Sequence, residues 1–281
     1  MVSREKKLQR DFFDQRPAQI SWQSLLVEKG FLRLVKPREK KHFDLIKKLK
    51  IKPYDKVLDV GCGTGHFLAR LEKEFGIKGT GIDFSSNSIK LAKKREKKNL
   101  KFFITEAEEL GFKNKSFDYV FCFDVLEHIE NQNKALQEMV RVLKPKARLL
   151  IYTINKRRRF TWDWCLEKLG FPLAKWTAHY KKVLFSEPED LINKLKKLGM
   201  KKEQLTFYDS FFCLGLNELM TLFGNLMIKL KLDKNRFLGR IVLWFTTGVS
   251  KSLGQVFDWL DWPWKINGVS NSFYLLVKKN N

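Results

Sequence analysis

The chain has 281 residues, enough for one domain with insertions or for two small ones, and enough to bury an ample core. Its four cysteines, Cys62, Cys122, Cys165 and Cys213, form no Cys-x-x-Cys pair, which argues against a zinc ribbon or a disulfide framework and fits a reducing cytosol. The net charge of +24 predicts either attraction to anions, nucleic acid or an anionic lipid surface, or a set of solvated lysine faces.

Met1 to Asp14 alternates charged and apolar residues and lacks an apolar core, so no signal peptide is expected. Residues 1–50 read as an N-terminal helical cap, with helices over Trp22–Val35 and Glu39–Lys50 that by position would lie over a ligand cleft as a lid. Strand and helix then alternate. Strands are expected at Lys56–Val60, Lys78–Ile82, Leu100–Thr105, Phe117–Phe123 and Arg148–Ile154. Helices are expected at Ser86–Lys98, with Lys93 to Lys98 on its polar face, and at Asn131–Leu143. Lys144-Pro145 marks a turn before the fifth strand, because proline cannot continue the helix. A helix Glu187–Leu198 stops at Gly199, a strand near Gln204–Asp209 follows, and Ser272–Lys278 is the last strand. Alternation of this kind predicts a parallel sheet with helices on both faces.

Residues 211–268 break the pattern. Leu216, Leu219, Phe223, Leu226 and Leu230, and then Leu238, Val242, Phe245, Val249, Leu253, Val256 and Leu260, recur at helical spacing with interspersed Lys and Arg. No run reaches the roughly 18 apolar residues of a spanning helix. Trp259, Trp262 and Trp264 follow, a residue type favoured at membrane interfaces. Two readings stay open: a basic amphipathic hairpin lying in the plane of the membrane surface, or an extra helical layer packed on the domain or on a second subunit.

The most informative string is Val57-Leu58-Asp59-Val60-Gly61-Cys62-Gly63-Thr64-Gly65-His66-Phe67. An apolar strand runs into a glycine turn, whose bare backbone lets a nucleotide-like ligand approach the N-terminus of the next helix. Asp83 ends the next strand, 18 residues after Gly65, where a ribose-binding acid is expected. Together these resemble motif I and its sequel in the class I S-adenosylmethionine-dependent methyltransferases, over about residues 56–200. The resemblance implies that Gly61, Gly63 and Gly65 make room for the methionine part of S-adenosyl-L-methionine and that Asp59 orders the turn. It implies that Asp83, with Phe84 beside it, binds the ribose, and that Glu106 and the Ala107 amide face the adenine. The implied fold is α/β and Rossmann-like: a seven-stranded, mostly parallel sheet with an antiparallel last strand, flanked by helices, plus a hydrophobic helical insert. The methyltransferase domain is expected over 51–281, with inserts at about 156–182 and 211–268.

A second string, Ser116 to Ile129, resembles the fourth strand of these enzymes and the loop after it, and brings Asp124, Glu127 and His128 to the carboxyl edge beside the cofactor. Two carboxylates and an imidazole can hold a divalent cation such as Mg²⁺, or Glu127 and His128 can serve catalysis with His128 as a base. A third reading has His128 only lining the cofactor pocket. Ile151-Tyr152-Thr153-Ile154-Asn155-Lys156, the apolar insert Phe160–Trp176, Thr177-Ala178-His179-Tyr180-Lys181-Lys182 and Pro188-Glu189-Asp190-Leu191 are similar to strings of the ubiquinone-biosynthesis O-methyltransferase (UbiG-type) family. That narrower resemblance implies a cation at Asp124, Glu127 and His128, with Asn155 as a further ligand. It does not extend to 211–268.

The expected function is O-methylation of a lipophilic small molecule, a prenylated phenol, quinone precursor or other lipid. The enzyme would be cytoplasmic and peripheral on the inner face of the membrane. Methylation of tRNA or another nucleic acid is the alternative within enzymes, and a non-catalytic partner subunit of the same fold is the alternative outside them.

Overall fold

The computed structural model describes residue 14 and residues 37–157, 164–165, 168–169, 186–208, 256, 259–266 and 268–281. The elements are α1 (Pro37–Lys47), β1 (Lys56–Val60), α2 (His66–Phe75), β2 (Lys78–Asp83), α3 (Ser86–Lys93), β3 (Leu100–Ile104) and β4 (Phe117–Phe123). A short 3₁₀ turn (Leu126–His128), α4 (Gln132–Val142), β5 (Leu143–Ile154), α5 (Pro188–Lys197), β6 (Met200–Tyr208), α6 (Trp262–Ile266) and β7 (Ser272–Lys279) complete them. The helices expected at Trp22–Val35 and most of both inserts lie outside the described residues.

The strands form one seven-stranded sheet in the order β3-β2-β1-β4-β5-β7-β6. β1 to β5 pair in parallel, and β7 runs antiparallel to both β5 and β6. This is the Rossmann-like sheet with one reversed strand that the sequence implied. Central strands are apolar on both sides because both faces are covered. Val60, Val120, Cys122, Leu149 and Ile151 belong to one buried cluster with Leu136, Met139 and Val140 of α4 and Leu191 and Leu195 of α5. Val57, Phe121, Leu150 and Tyr152 belong to the other, with Phe43 and Ile46 of α1, Leu68 and Leu71 of α2, and Ile89 and Ala92 of α3.

Local chemistry starts and stops the helices. The Ser85 side chain accepts from the Ser88 N–H at the head of α3, and the Asn131 side chain accepts from the Lys134 N–H at the head of α4. Gly76 closes α2 in the left-handed region with its N–H on the Glu72 carbonyl.

Three boundaries differ from the sequence expectation. The helix expected to run to Lys98 ends at Lys93, because Lys97 already bridges to Leu100 and the Glu96 carboxylate accepts the Phe102 N–H. β5 begins at Leu143, so the strand already includes Lys144-Pro145. Leu143 sits opposite Phe117 and Arg148 opposite Tyr119, so residues 144–147 bulge out of the ladder, with Lys146 at φ 63°. Asp118 holds this bulge by accepting from Lys144 Nζ at 2.7 and 2.8 Å. β6 starts at Met200, earlier than its sequence signals. Its first residues, Lys201 to Gln204, are exposed and show no apolar alternation, as suits a charged edge strand.

No helix among the described residues is long and apolar enough to cross a membrane.

Candidate active site

β1 and β2 end side by side, and their carboxyl ends build the site. The Ile82 carbonyl accepts the N–H groups of both Gly61 and Cys62 at 2.8 Å, which folds the turn after β1 back over the end of β2. The Gly63 N–H then donates to Asp83 Oδ2 at 2.9 Å, and the Ser85 N–H donates to Asp83 Oδ1 at 2.9 Å. The Asp83 carboxylate is thus clamped by backbone donors on both oxygens, and a carboxylate has lone-pair sites enough to accept a ligand hydroxyl as well.

Gly61, Gly63 and Gly65 all lie at positive φ, 77°, 51° and 76°. Their surroundings differ. A Cβ on Gly61 would sit 2.1 Å from Val125 Cγ2, and one on Gly65 would sit 2.7 Å from the Phe102 ring. A Cβ on Gly63 would meet no described residue within 4 Å. Packing therefore explains Gly61 and Gly65, while no described residue stands where a Gly63 side chain would go.

A pocket lies at this edge, about 550 Å³ with the open space at its mouth included. Of the expected residues it is lined by Gly61, Asp83, Phe84, Glu106, Ala107 and His128. Val60, Ile82, Thr105, Glu108, Val125 and Ile129 complete the lining and were not expected. Val125 and Ile129 flank the Leu-Glu-His string, and their apolar character was the one available signal. An acid held for hydroxyl groups, apolar walls for a flat ring and the bare backbone of Gly61 fit S-adenosyl-L-methionine, while the expected Gly63 and Gly65 do not line the pocket.

Asp59, expected to order the turn, is buried at 4% exposure and is not a wall of the pocket. Burial, reinforced by the neighbouring Asp83 charge, pushes its carboxyl up to about 7. Asp83 is also raised, chiefly by burial, while the Ser85 and Gly63 N–H groups pull it back down. Asp14 is the one described residue of 1–36, and it reaches this region. Its carboxylate accepts from Ser85 Oγ at 2.6 Å and from the Asn87 N–H at 3.2 Å.

The expected cation centre is not assembled. Among the described residues no three His, Cys, Asp or Glu side chains are grouped so that they could hold a metal ion. Of the expected ligands, Asp124 ends β4 at φ 54°, and its N–H donates to the Tyr152 carbonyl. Glu127 is fully buried and accepts from the Thr153 hydroxyl at 2.9 Å. Asn155 is buried too: its amide donates to the Gly268 carbonyl at 3.0 Å, and its oxygen accepts from the Arg157 N–H at 3.0 Å. Neither Asp124, Glu127 nor Asn155 lines the pocket. Sequence spacing brought these residues to one edge but could not show that Glu127 bonds to Thr153 or that the Asn155 amide bonds to Gly268 and Arg157.

Known proteins align with this geometry. The chain is 34% identical to an uncharacterized protein of Methanocaldococcus jannaschii, over 55% of this chain and 68% of that one. It is 40% identical to demethylmenaquinone methyltransferase of Staphylococcus aureus, over 36% of this chain and 44% of the relative, so it spans less than half of that enzyme. Its fold is similar to that of phosphoethanolamine N-methyltransferase 2 of Haemonchus contortus, solved with S-adenosyl-L-methionine. The TM-score is 0.57 at 18% identity, covering 96% of this chain and 60% of that one. More than half of the chain, residues 51–204, matches the methyltransferase-domain family, and this stretch holds the whole glycine turn, the clamped Asp83 and His128. The chain therefore belongs to that family and is a class I S-adenosylmethionine-dependent methyltransferase.

Proposed function

We propose that the chain methylates an oxygen of a lipophilic small molecule, a prenylated phenol, quinone precursor or other lipid, while seated on an anionic membrane surface. The observation that carries this reading is a set of three exposed apolar side chains close in sequence. Val256, Trp259 and Trp262 follow one another at steps of three and are 50%, 74% and 61% exposed, in a chain of net charge +24. The name of the staphylococcal relative, which refers to demethylmenaquinone, supports a quinone-like acceptor.

In this reading Asp83 holds the ribose, Phe84, Glu106 and Ala107 border the adenine, and the bare backbone of the glycine turn takes the amino-acid end. Gly61 and Gly65 keep the turn closed, Asp59 orders it, and Asp124 sets the end of β4. The bound cofactor supplies an electrophilic methyl group on sulfur. The residues of the chain align the acceptor oxygen with that methyl, and His128, at the pocket wall, takes the hydroxyl proton.

Co-sedimentation of the full chain with anionic and neutral liposomes tests the reading. Salt-sensitive binding to anionic vesicles, together with methyl transfer to phenols from membrane extracts, is the expected result. Absence of vesicle binding, with salt-sensitive binding and methylation of RNA instead, would sink it in favour of a nucleic-acid substrate. Turnover of a small soluble amine alone would sink it as well.

A further inference from the structure

The 3₁₀ turn Leu126–His128 carries His128 to the pocket, and so short a turn holds itself weakly. Two backbone bonds close it, from the His128 N–H to the Val125 carbonyl at 2.9 Å and from the Ile129 N–H to the Leu126 carbonyl at 3.1 Å. Burial of Leu126 in the core and the Gln132 amide, which donates to the Leu126 carbonyl at 2.8 Å, help to hold it, and two successive residues of β5 bond to it directly. The Tyr152 carbonyl accepts the Asp124 N–H at 3.1 Å, and the Thr153 hydroxyl donates to Glu127 Oε2 at 2.9 Å. Asp124, between the strand and the turn, stands at φ 54°, a conformation that a non-glycine residue keeps only where its surroundings impose it.

Glu127 and Thr153 are both fully buried. A carboxyl group is costly to bury, and apolar side chains of similar volume often hold a turn at least as firmly. Its hydrogen bond gives direction, which an apolar contact does not. We propose that Thr153 and Glu127 form a bolt that sets the orientation of the His128 ring. Glu127 is then a positioning residue rather than a proton acceptor or a cation ligand, and Thr153 is the other half of the device. The same strand that pairs with β4 thereby fixes the residue next to the reacting end of the pocket.

The proposal rests on His128 bordering the reacting site, but its test needs neither acceptor nor cofactor, so it fails separately from the function proposed above. Histidines of the full chain are labelled with ¹³C, and the His128 ring signal is identified by its loss in His128→Asn. Thr153→Val, which keeps the shape and removes the hydroxyl, is expected to shift the His128 ring signal and leave that of His66 in place. Thr153→Ser, which restores the hydroxyl, is expected to return the His128 signal to its native position. Thermal unfolding confirms that both variants are folded. An unchanged His128 signal in folded Thr153→Val would overturn the proposal, as would Thr153→Ser behaving like the valine variant. Selective broadening of the native His128 signal by added Mn²⁺ would overturn it too, by making this cluster a cation site.

Discussion

The Gly63 N–H points at Asp83 Oδ2, 2.9 Å away, and joins the turn after β1 to the end of β2. One contact thus ties the open glycine to the acid assigned to the ribose. Asp83→Ala removes the ligand's partner and the clamp on the turn together. S-adenosylhomocysteine affinity, measured by calorimetry, is expected to fall about tenfold or more, as loss of a hydrogen bond to a charged group implies. An unchanged affinity would contradict the assignment of Asp83.

The glycines separate packing from ligand space. Gly61→Ala drives a methyl group to 2.1 Å from Val125 Cγ2 and is expected to cost about 2–4 kcal/mol of stability in urea unfolding. Gly63→Ala meets no described residue within 4 Å and is expected to cost only the left-handed strain, about 1–2 kcal/mol, while cofactor binding is lost. Equal stability losses in the two variants, with binding intact in Gly63→Ala, would reverse this distinction.

Asp59 makes stability depend on pH in a stated direction. Its folded carboxyl is pushed up to about 7, from an ordinary value of 3.8. The folded chain keeps this proton while the unfolded chain gives it up, so stability falls as pH rises from about 4 to about 7 and levels off above. Asp59→Asn removes that slope. In urea unfolding without cofactor, the variant is expected to gain on the native chain as pH is raised from 5 to 8. A native slope of the opposite sign, or one untouched by the substitution, would count against it.

The exposed tryptophans give a prediction on the full chain. Replacing Trp259 and Trp262 together by alanine removes two of the three exposed apolar side chains and is expected to weaken binding to anionic vesicles at least tenfold. Both residues are exposed, so thermal stability is expected to change little. Vesicle binding that survives the double substitution would move the contact elsewhere on the chain.

Much of the fold was legible because its signals are local. β1 and β4 lie where their apolar runs placed them, since a central parallel strand is buried on both faces. The glycine turn and Asp83 were legible because few residues tolerate positive φ at a strand end and fewer supply a clamped acid after the next strand. β6 was legible only in part, because an edge strand with an exposed, charged first half carries no apolar alternation. The bulge at 144–147 was missed because its cause, the pairing of Asp118 with Lys144, joins residues 26 positions apart.

The sequence by itself determined the order of strands and helices, the glycine turn at the end of β1, and the approach of Asp83, Glu106 and His128 to one edge. Each of these follows from periodicity, backbone permissiveness or position at a strand end, which are properties of short segments. Tertiary structure alone decided which polar groups face the pocket and which bond to the sheet instead. Glu127 looked like a ligand beside Asp124 and His128, yet its partner is Thr153 on the neighbouring strand. Asn155 looked like a fourth ligand, yet its amide ties β5 to the Gly268 carbonyl. A buried polar atom takes the partner that the sheet register brings to it, and register is set by the packing of the whole sheet.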